Sequence, residues 1–277
     1  VFKTYSIILI VTLYLYLRIY NQLIDLYQNI NSFIMSFEGY INLQNEQIIA
    51  DRNKERLKNK NTKFLTNEVS IEFKNIFLSY GLQEVHKNLS FKIKKKEFVG
   101  IFGPSGSGKS TIVDLICGLI SPQKGKILIN GFDIDNINIK KWRESIGYIT
   151  QSVYLIDGSI KENISFNREN ISNDKILNVL KLVGADLFVN KKEKKLSTKI
   201  NLRTSNLSGG EKQRIGIARG LLGDKSLLIF DEPTSSLDSF NEKKIISIIK
   251  KLKGKKNIIL ISHDLKVMKF CDKIIKI

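Results

Sequence analysis
Cysteine is scarce in this 277-residue sequence: Cys117 and Cys271 are the only two, both inside apolar stretches and without metal-ligand spacing. That excludes a disulfide scaffold and a cysteine-built metal site, and points to reduced, structural thiols facing the cytoplasm. An aromatic-interleaved basic motif of the known nucleic-acid modules is also missing, so no nucleic-acid partner is expected. The uncharged N-terminal stretch from Thr4 to Leu17 falls short of the ~20 residues needed to cross a bilayer. A signal peptide fits no better. Lys3 supplies a basic flank, but Arg18-Ile19-Tyr20-Asn21 offers no small-residue cleavage site. The stretch is read as the end of a membrane span, and Val1 as a sign that sequence upstream is missing.

Lysine, by contrast, is abundant. The formal net charge of +18 comes from clusters at Lys92, Lys94, Lys95 and Lys96, at Lys191, Lys192, Lys194 and Lys195, and between Lys250 and Lys256. Such runs are ordinarily solvated faces and do not by themselves select a partner. A hydrophobic content of 42% suffices for one full α/β domain with a short second segment.

Beyond Arg18, the apolar residues Leu23, Tyr27, Ile30, Ile34, Phe37, Ile41 and Ile48 recur at steps of four and three, with a gap at Gln44. No proline interrupts them and Gly39 is the only glycine, so residues 1–50 are expected to form one long amphipathic helix. It reads either as a surface or coiled-coil helix or as the cytoplasmic extension of a membrane span. Residues 51–67 are polar and read as a linker, leaving 68–277 for the globular domain. There, Phe98–Phe102, Leu227–Phe230 and Ile258–Ile261 are apolar runs of the kind buried on both faces of a parallel sheet. Asn130-Gly131, between Ile127–Ile129 and Phe132, is a hairpin signal. A mostly parallel α/β core with an added antiparallel part follows.

Two motifs carry chemistry outright. Gly103-Pro104-Ser105-Gly106-Ser107-Gly108-Lys109-Ser110 fits the phosphate-binding P-loop, between a strand ending at Phe102 and a helix over Thr111–Cys117. Its glycines let backbone N–H groups approach phosphate, Lys109 would reach the β- and γ-phosphates, and Ser110 would offer a hydroxyl to Mg²⁺. Leu227–Glu232 is an apolar strand ending in two carboxylates with separate roles: Asp231 for Mg²⁺, and Glu232 to orient and deprotonate an attacking water.

Leu207-Ser208-Gly209-Gly210-Glu211-Lys212-Gln213-Arg214 closely resembles the signature of ATP-binding cassette proteins. Ser208 and Glu211 predict a capping box at a helix start, with free N–H groups and two glycines that admit a phosphate. The resemblance extends over most of residues 68–277 and implies a P-loop NTPase fold with antiparallel and helical subdomains. It implies that Ser208, Gly209 and Gly210 contact the γ-phosphate held by a second cassette, in a homodimer or heterodimer. Further positions take roles from the resemblance. Tyr80 would stack on adenine, and Gly103, Ser105, Gly106, Gly108 and Thr111 would belong to the phosphate cradle. Gln151 would touch Mg²⁺ and the membrane part, Ser236-Leu237-Asp238 would lie along the dimer seam, and His263 would sit on the γ-phosphate. ATP and Mg²⁺ are the implied cofactors. His86 has no such support and reads as a surface residue.

The segment from Val153 to Ile164 resembles that of exporters whose membrane helices and ATPase share one chain, which implies a membrane domain upstream and a place on the cytoplasmic face of the plasma or inner membrane. Leu202-Arg203-Thr204 departs from the Glu-Arg-Gly usual before the signature, and the sequence runs only 14 residues beyond His263. An importer's ATPase subunit is the alternative, but it would begin near residue 68 without an apolar helix. A non-transport cassette would carry paired cassettes or a long coiled-coil insertion. The transported cargo is not encoded in this stretch.

Overall fold
A computed structural model describes residues 2–53, 68–81, 83–166, 168, 171–201, 207–235 and 237–277. Most of the expected linker, the Leu202-Arg203-Thr204 departure and Ser236 lie outside the described residues. Two units are distinguished, Val1–Arg56 and Leu57–Ile277. The first is helix α1 (Phe2–Asn53), 52 residues and so about 78 Å of continuous helix at 1.5 Å per residue. Its described side chains from Leu9 to Asp51 are all exposed, the apolar stripe included. Among the described residues, no helix is long and apolar enough to cross a membrane.

The second unit is built on two sheets. Strands β1 (Ile71–Tyr80), β2 (Gln83–Ile93), β4 (Lys124–Ile129) and β5 (Phe132–Asp133) form an antiparallel sheet in the order β2-β1-β4-β5. Asn130 and Gly131 close the β4–β5 hairpin as expected, both at positive φ (50° and 85°), as a two-residue turn of matching twist requires. Gly125 is needed where β1 and β4 cross: a Cβ there would sit 2.4 Å from the carbonyl oxygens of Lys74 and Asn75.

Strands β3 (Phe98–Phe102), β6 (Ile146–Ile149), β9 (Leu227–Asp231), β10 (Asn257–Ile261) and β11 (Lys273–Lys276) form an all-parallel sheet ordered β11-β3-β10-β9-β6. Alternate side chains of its central strands serve two cores. Leu227, Ile229, Ile259 and Ile261 join the antiparallel sheet and helix α2 (Lys109–Ile116), whereas Leu228, Phe230, Ile258 and Leu260 face the other side. That second core takes in α4 (Ile160–Ser165), α5 (Asn173–Leu182), α6 (Asp186–Asn190), α7 (Gly209–Leu221) and α8 (Ser239–Leu252). The short α3 (Ile139–Glu144) and α9 (Leu265–Met268) and the two-residue pair β7 (Gly158–Ser159) and β8 (Lys199–Ile200) complete the unit. The expected parallel core, antiparallel part, helical part and long N-terminal helix are all present.

His86 departs from expectation: it is buried, not a surface residue. Val85, Leu89, Phe91 and Ile93 make the odd positions of β2 look apolar, which assigns His86 to the polar face. From Leu89 to His86, β2 nevertheless advances three steps where β1, from Ile76 to Leu78, advances two, with Asn88 at φ 56°. The bulge turns His86 to the side of its partner Leu78, which belongs to the core.

Asn257 ties these parts together. Buried at the start of β10, its Oδ1 accepts from the Lys96 N–H (3.0 Å) and the Val69 N–H (3.4 Å), while Nδ2 donates to the Lys94 carbonyl (2.6 Å). We expect Asn257→Leu to lower stability by about 2–3 kcal/mol, because buried backbone groups lose their partners. Urea unfolding monitored by circular dichroism measures this; a loss under about 0.5 kcal/mol would contradict it.

Candidate functional site
Between the end of β3 and the start of α2, residues 103–108 turn back toward the helix. Gly108 occupies the N-cap position at φ 87° and offers no side-chain cap, so the first N–H groups of α2 find no side-chain acceptor there. The other end of α2 is well served. Trp142 Nε1 donates to the Ile116 carbonyl (2.7 Å), and the Arg143 guanidinium donates to the Cys117 and Gly118 carbonyls (2.9 and 2.6 Å). A cation at the C-terminal end complements the helix dipole and leaves its positive end free for an anion.

Lys109 is buried, and its ammonium donates to the carbonyls of Gly103 (2.9 Å) and Pro104 (2.7 Å). Ser107 Oγ is buried without a hydrogen-bond partner. Both observations fit a loop whose polar groups are arranged for an anion.

The acidic part stands at the ends of neighbouring strands. Asp231, the last residue of β9, accepts from the Tyr148 hydroxyl of β6 at 2.9 Å. Burial is the main cause that lifts its carboxyl above the ordinary range; Glu232 adds to the rise, whereas Tyr148 and Lys109 oppose it. Asp114 of α2 is likewise raised, by burial and by Asp231. Glu232 follows at φ 43°, a conformation rare for a residue with a Cβ, held by its N–H to the Ile261 carbonyl (2.9 Å). One carboxylate oxygen of Glu232 accepts from Gln151 Nε2 (3.2 Å), and the other lies 3.1 Å from His263 Nδ1. Gln151 also reaches Ser235 Oγ at 3.3 Å.

Tyr80, Val85, Ser105, Gly106, Gly108, Lys109, Ser110, Thr111, Gln151, Asp231 and Glu232 line one cleft of about 390 Å³. Its size is that of a small-molecule site. Gly103 and His263 border it through Lys109 and Glu232. Among the described residues, no group of three His, Cys, Asp or Glu side chains could hold a metal. The expected set of Ser110, Gln151 and Asp231 contains one carboxylate, which suits Mg²⁺ shared with phosphate oxygens and water.

Ser208, Gly209, Gly210 and Asp238 do not line this cleft. They form a separate surface. Ser208 and Glu211 make the expected capping box at the start of α7, and Ser208 and Gly209 are exposed. Asp238 caps α8 through the N–H groups of Phe240 and Asn241 (both 3.0 Å). The two helix starts abut: a Cβ on Gly210 would lie 2.8 Å from the Asn241 side chain. Sequence reasoning missed Tyr148, Ser235 and His86. Only Tyr148 left a trace, a hydroxyl in an otherwise apolar strand three residues before Gln151.

Comparison with known proteins gives three kinds of match. Residues 86–235 fit the family model described as ABC transporter. A Haemophilus influenzae protein named "Probable ABC transporter ATP-binding/permease protein" is 39% identical over 207 residues, covering 75% of this chain and 38% of that protein. The ATP-dependent permease MDL1 of Candida albicans is 41% identical over 211 residues, 74% of this chain and 31% of the permease. Among solved structures, a bacterial Atm1-family ABC exporter with ATP bound matches at a TM-score of 0.78 and 31% identity, over 87% of this chain and 43% of the exporter chain. This chain thus spans less than half the length of each relative. Over the matched residues, which include the P-loop, Gln151, the signature, Asp231 and Glu232, the chain belongs to the ABC transporter family.

Proposed function
We propose that this chain is the ATP-hydrolysing part of a membrane exporter, working as one of two cassettes with nucleotide between them. The observation that carries the reading is the Glu232 carboxylate, braced by Gln151 and His263 in a cleft that the P-loop also lines. The names of the relatives and the ATP-bound exporter structure support the same reading.

In this mechanism Lys109 exchanges the Gly103 and Pro104 carbonyls for phosphate oxygens, a trade of neutral acceptors for charged ones. The N–H groups of α2 and the freedom of Gly106 and Gly108 accommodate the rest of the phosphate chain, and Tyr80, exposed at the cleft edge, offers its face to the base. Ser110, Asp231 and Gln151 would hold Mg²⁺, which when bound neutralises charge on the phosphates. Glu232 takes the proton of the attacking water, while Gln151 and His263 fix the direction of its two oxygens. Ser208, Gly209, Gly210 and Asp238, which do not line the chain's own cleft, would close the cleft of a second cassette. The membrane domain would lie in the same full-length protein, at the cytoplasmic face of a cell membrane.

Three outcomes are expected. Glu232→Gln keeps ATP binding by calorimetry while turnover falls at least about 100-fold; near wild-type turnover would remove Glu232 from its role. Activity per chain rises with protein concentration as scattering reports dimers, and a strictly proportional rate from monomers would refute the shared site. The third concerns Asp231. Because its carboxyl is raised, the unfolded chain ionises there first, and the metal-free fold carries a cost that sets in as pH rises through the ordinary carboxylate range. Asp231→Asn should therefore melt higher than wild type at pH 8 without metal, with the difference shrinking toward pH 4. With ATP present, Mg²⁺ should raise the melting temperature of wild type and leave the variant unmoved.

A further inference from the structure
We propose that His86 is a positioning residue of the nucleotide site, whose Nε2–H holds the Gly108 carbonyl and thereby aims the Lys109 N–H into the cleft. The inference rests on the nucleotide reading of that cleft. His86 Nε2 lies 3.1 Å from Gly108 O. A carbonyl only accepts, so the ring nitrogen facing it carries the proton. Burial keeps the imidazole pKa below its ordinary value, although the Gly108 carbonyl opposes the shift, so the ring is the neutral Nε2–H tautomer at neutral pH.

The Gly108 carbonyl and the Lys109 N–H belong to one peptide unit, and the chain contains no cis peptide among its described residues. Across a planar trans peptide the C=O and N–H point in opposite directions. A donor that fixes the carbonyl therefore also fixes the direction of the Lys109 N–H, the first of α2, at the helix start, where Gly108 and Lys109 line the cleft. The same carbonyl accepts the first helical bond of α2, from the Ile112 N–H at 3.2 Å, so two donors fix its direction. The ring also packs against the loop: a Cβ on Gly108 would lie 2.9 Å from His86 Nε2 and 2.6 Å from Val85 Cγ1. His86 itself does not line the cleft, whereas its neighbours Val85 and Gly108 do. A P-loop tied only by its own turns would let this peptide rotate, because Gly108 lacks the Cβ that restricts it.

The test compares wild type, His86→Leu and His86→Gln in the 277-residue chain, measuring Mg-ATP affinity by calorimetry and hydrolysis at saturating ATP. Leucine keeps the buried apolar bulk and removes the donor; glutamine restores an amide N–H at similar reach. His86→Leu should bind ATP about 5- to 10-fold more weakly, the scale of one lost hydrogen bond. Its rate at saturation should stay within about twofold of wild type, and His86→Gln should regain most of the affinity. Equal affinity of His86→Leu and wild type would overturn the role of His86 alone; failure of wild type to bind ATP would overturn the nucleotide reading beneath it. Nitrogen NMR of the wild-type ring gives a check that needs no variant: a proton on Nδ1 with Nε2 bare would refute the proposal even if His86→Leu fails to fold.

Discussion

A strand buried on both faces and hydrogen-bonded on both edges can carry polar side chains only at its ends, and the arrangement of this site follows from that restriction. The central strands β3, β9 and β10 send alternate apolar side chains into two cores, leaving no room for chemistry along their length. Chemistry begins where they stop. Gly103 follows Phe102, Asp231 ends β9 with Glu232 next, and His263 lies two residues beyond Ile261; Gln151 stands in the same position after β6. Because all the strands run parallel, these ends fall on one edge of the sheet, beside the N-terminus of α2.

Gathering polar groups at that edge is locally unfavourable. Asp231 is desolvated and raised, Glu232 is held in a left-handed conformation, Lys109 has only neutral acceptors, and Ser107 Oγ has none. Each is a departure from what folding alone would select, and they lie within one short stretch of surface. The two cores and anchors such as Asn257 and Trp142 offset that local cost. An anionic ligand with a divalent cation answers the departures by charge. In the proposed reading Lys109 and the α2 amides would meet phosphate, and Asp231 would meet the metal.

Most of the site was legible in the sequence because P-loop, β9 terminus and signature are each set by local backbone needs: glycines at positive φ, a capping box, an apolar run closed by acids. Their mutual placement came from the family resemblance and agrees with the cleft that unites Tyr80, Lys109, Gln151 and Glu232. The residues that escaped depend on tertiary contacts. Tyr148 becomes relevant only because β6 pairs with β9 and brings its hydroxyl to Asp231. His86 read as a surface residue because no motif supported it, and its burial depends on the bulge at Asn88, of which alternation in sequence carries no record. The edge strand β11, four residues at the C-terminus, is too short for periodicity to announce it.

The remaining question is what lies between the signature surface and the cleft that it does not line, and α7 is part of the answer. Its first turn presents Ser208 and Gly209 to solvent, while farther along it approaches the Gln151 segment closely. A Cβ on Gly216 would lie 2.5 Å from Val153, and one on Gly147 would lie 2.2 Å from the Gly220 carbonyl. Arg219 then grips the same segment, donating to the carbonyls of Tyr154 (2.6 Å) and Asn163 (2.7 Å) with the Phe166 ring 4.8 Å from its guanidinium. Interiors packed this tightly shift as units. The contacts of α7 thus reach Val153 and Tyr154, in the segment that follows Gln151, and Gln151 is one of the two groups that hold Glu232. The helix that carries the signature thus packs against the segment that follows Gln151, although the signature residues do not line the chain's own cleft.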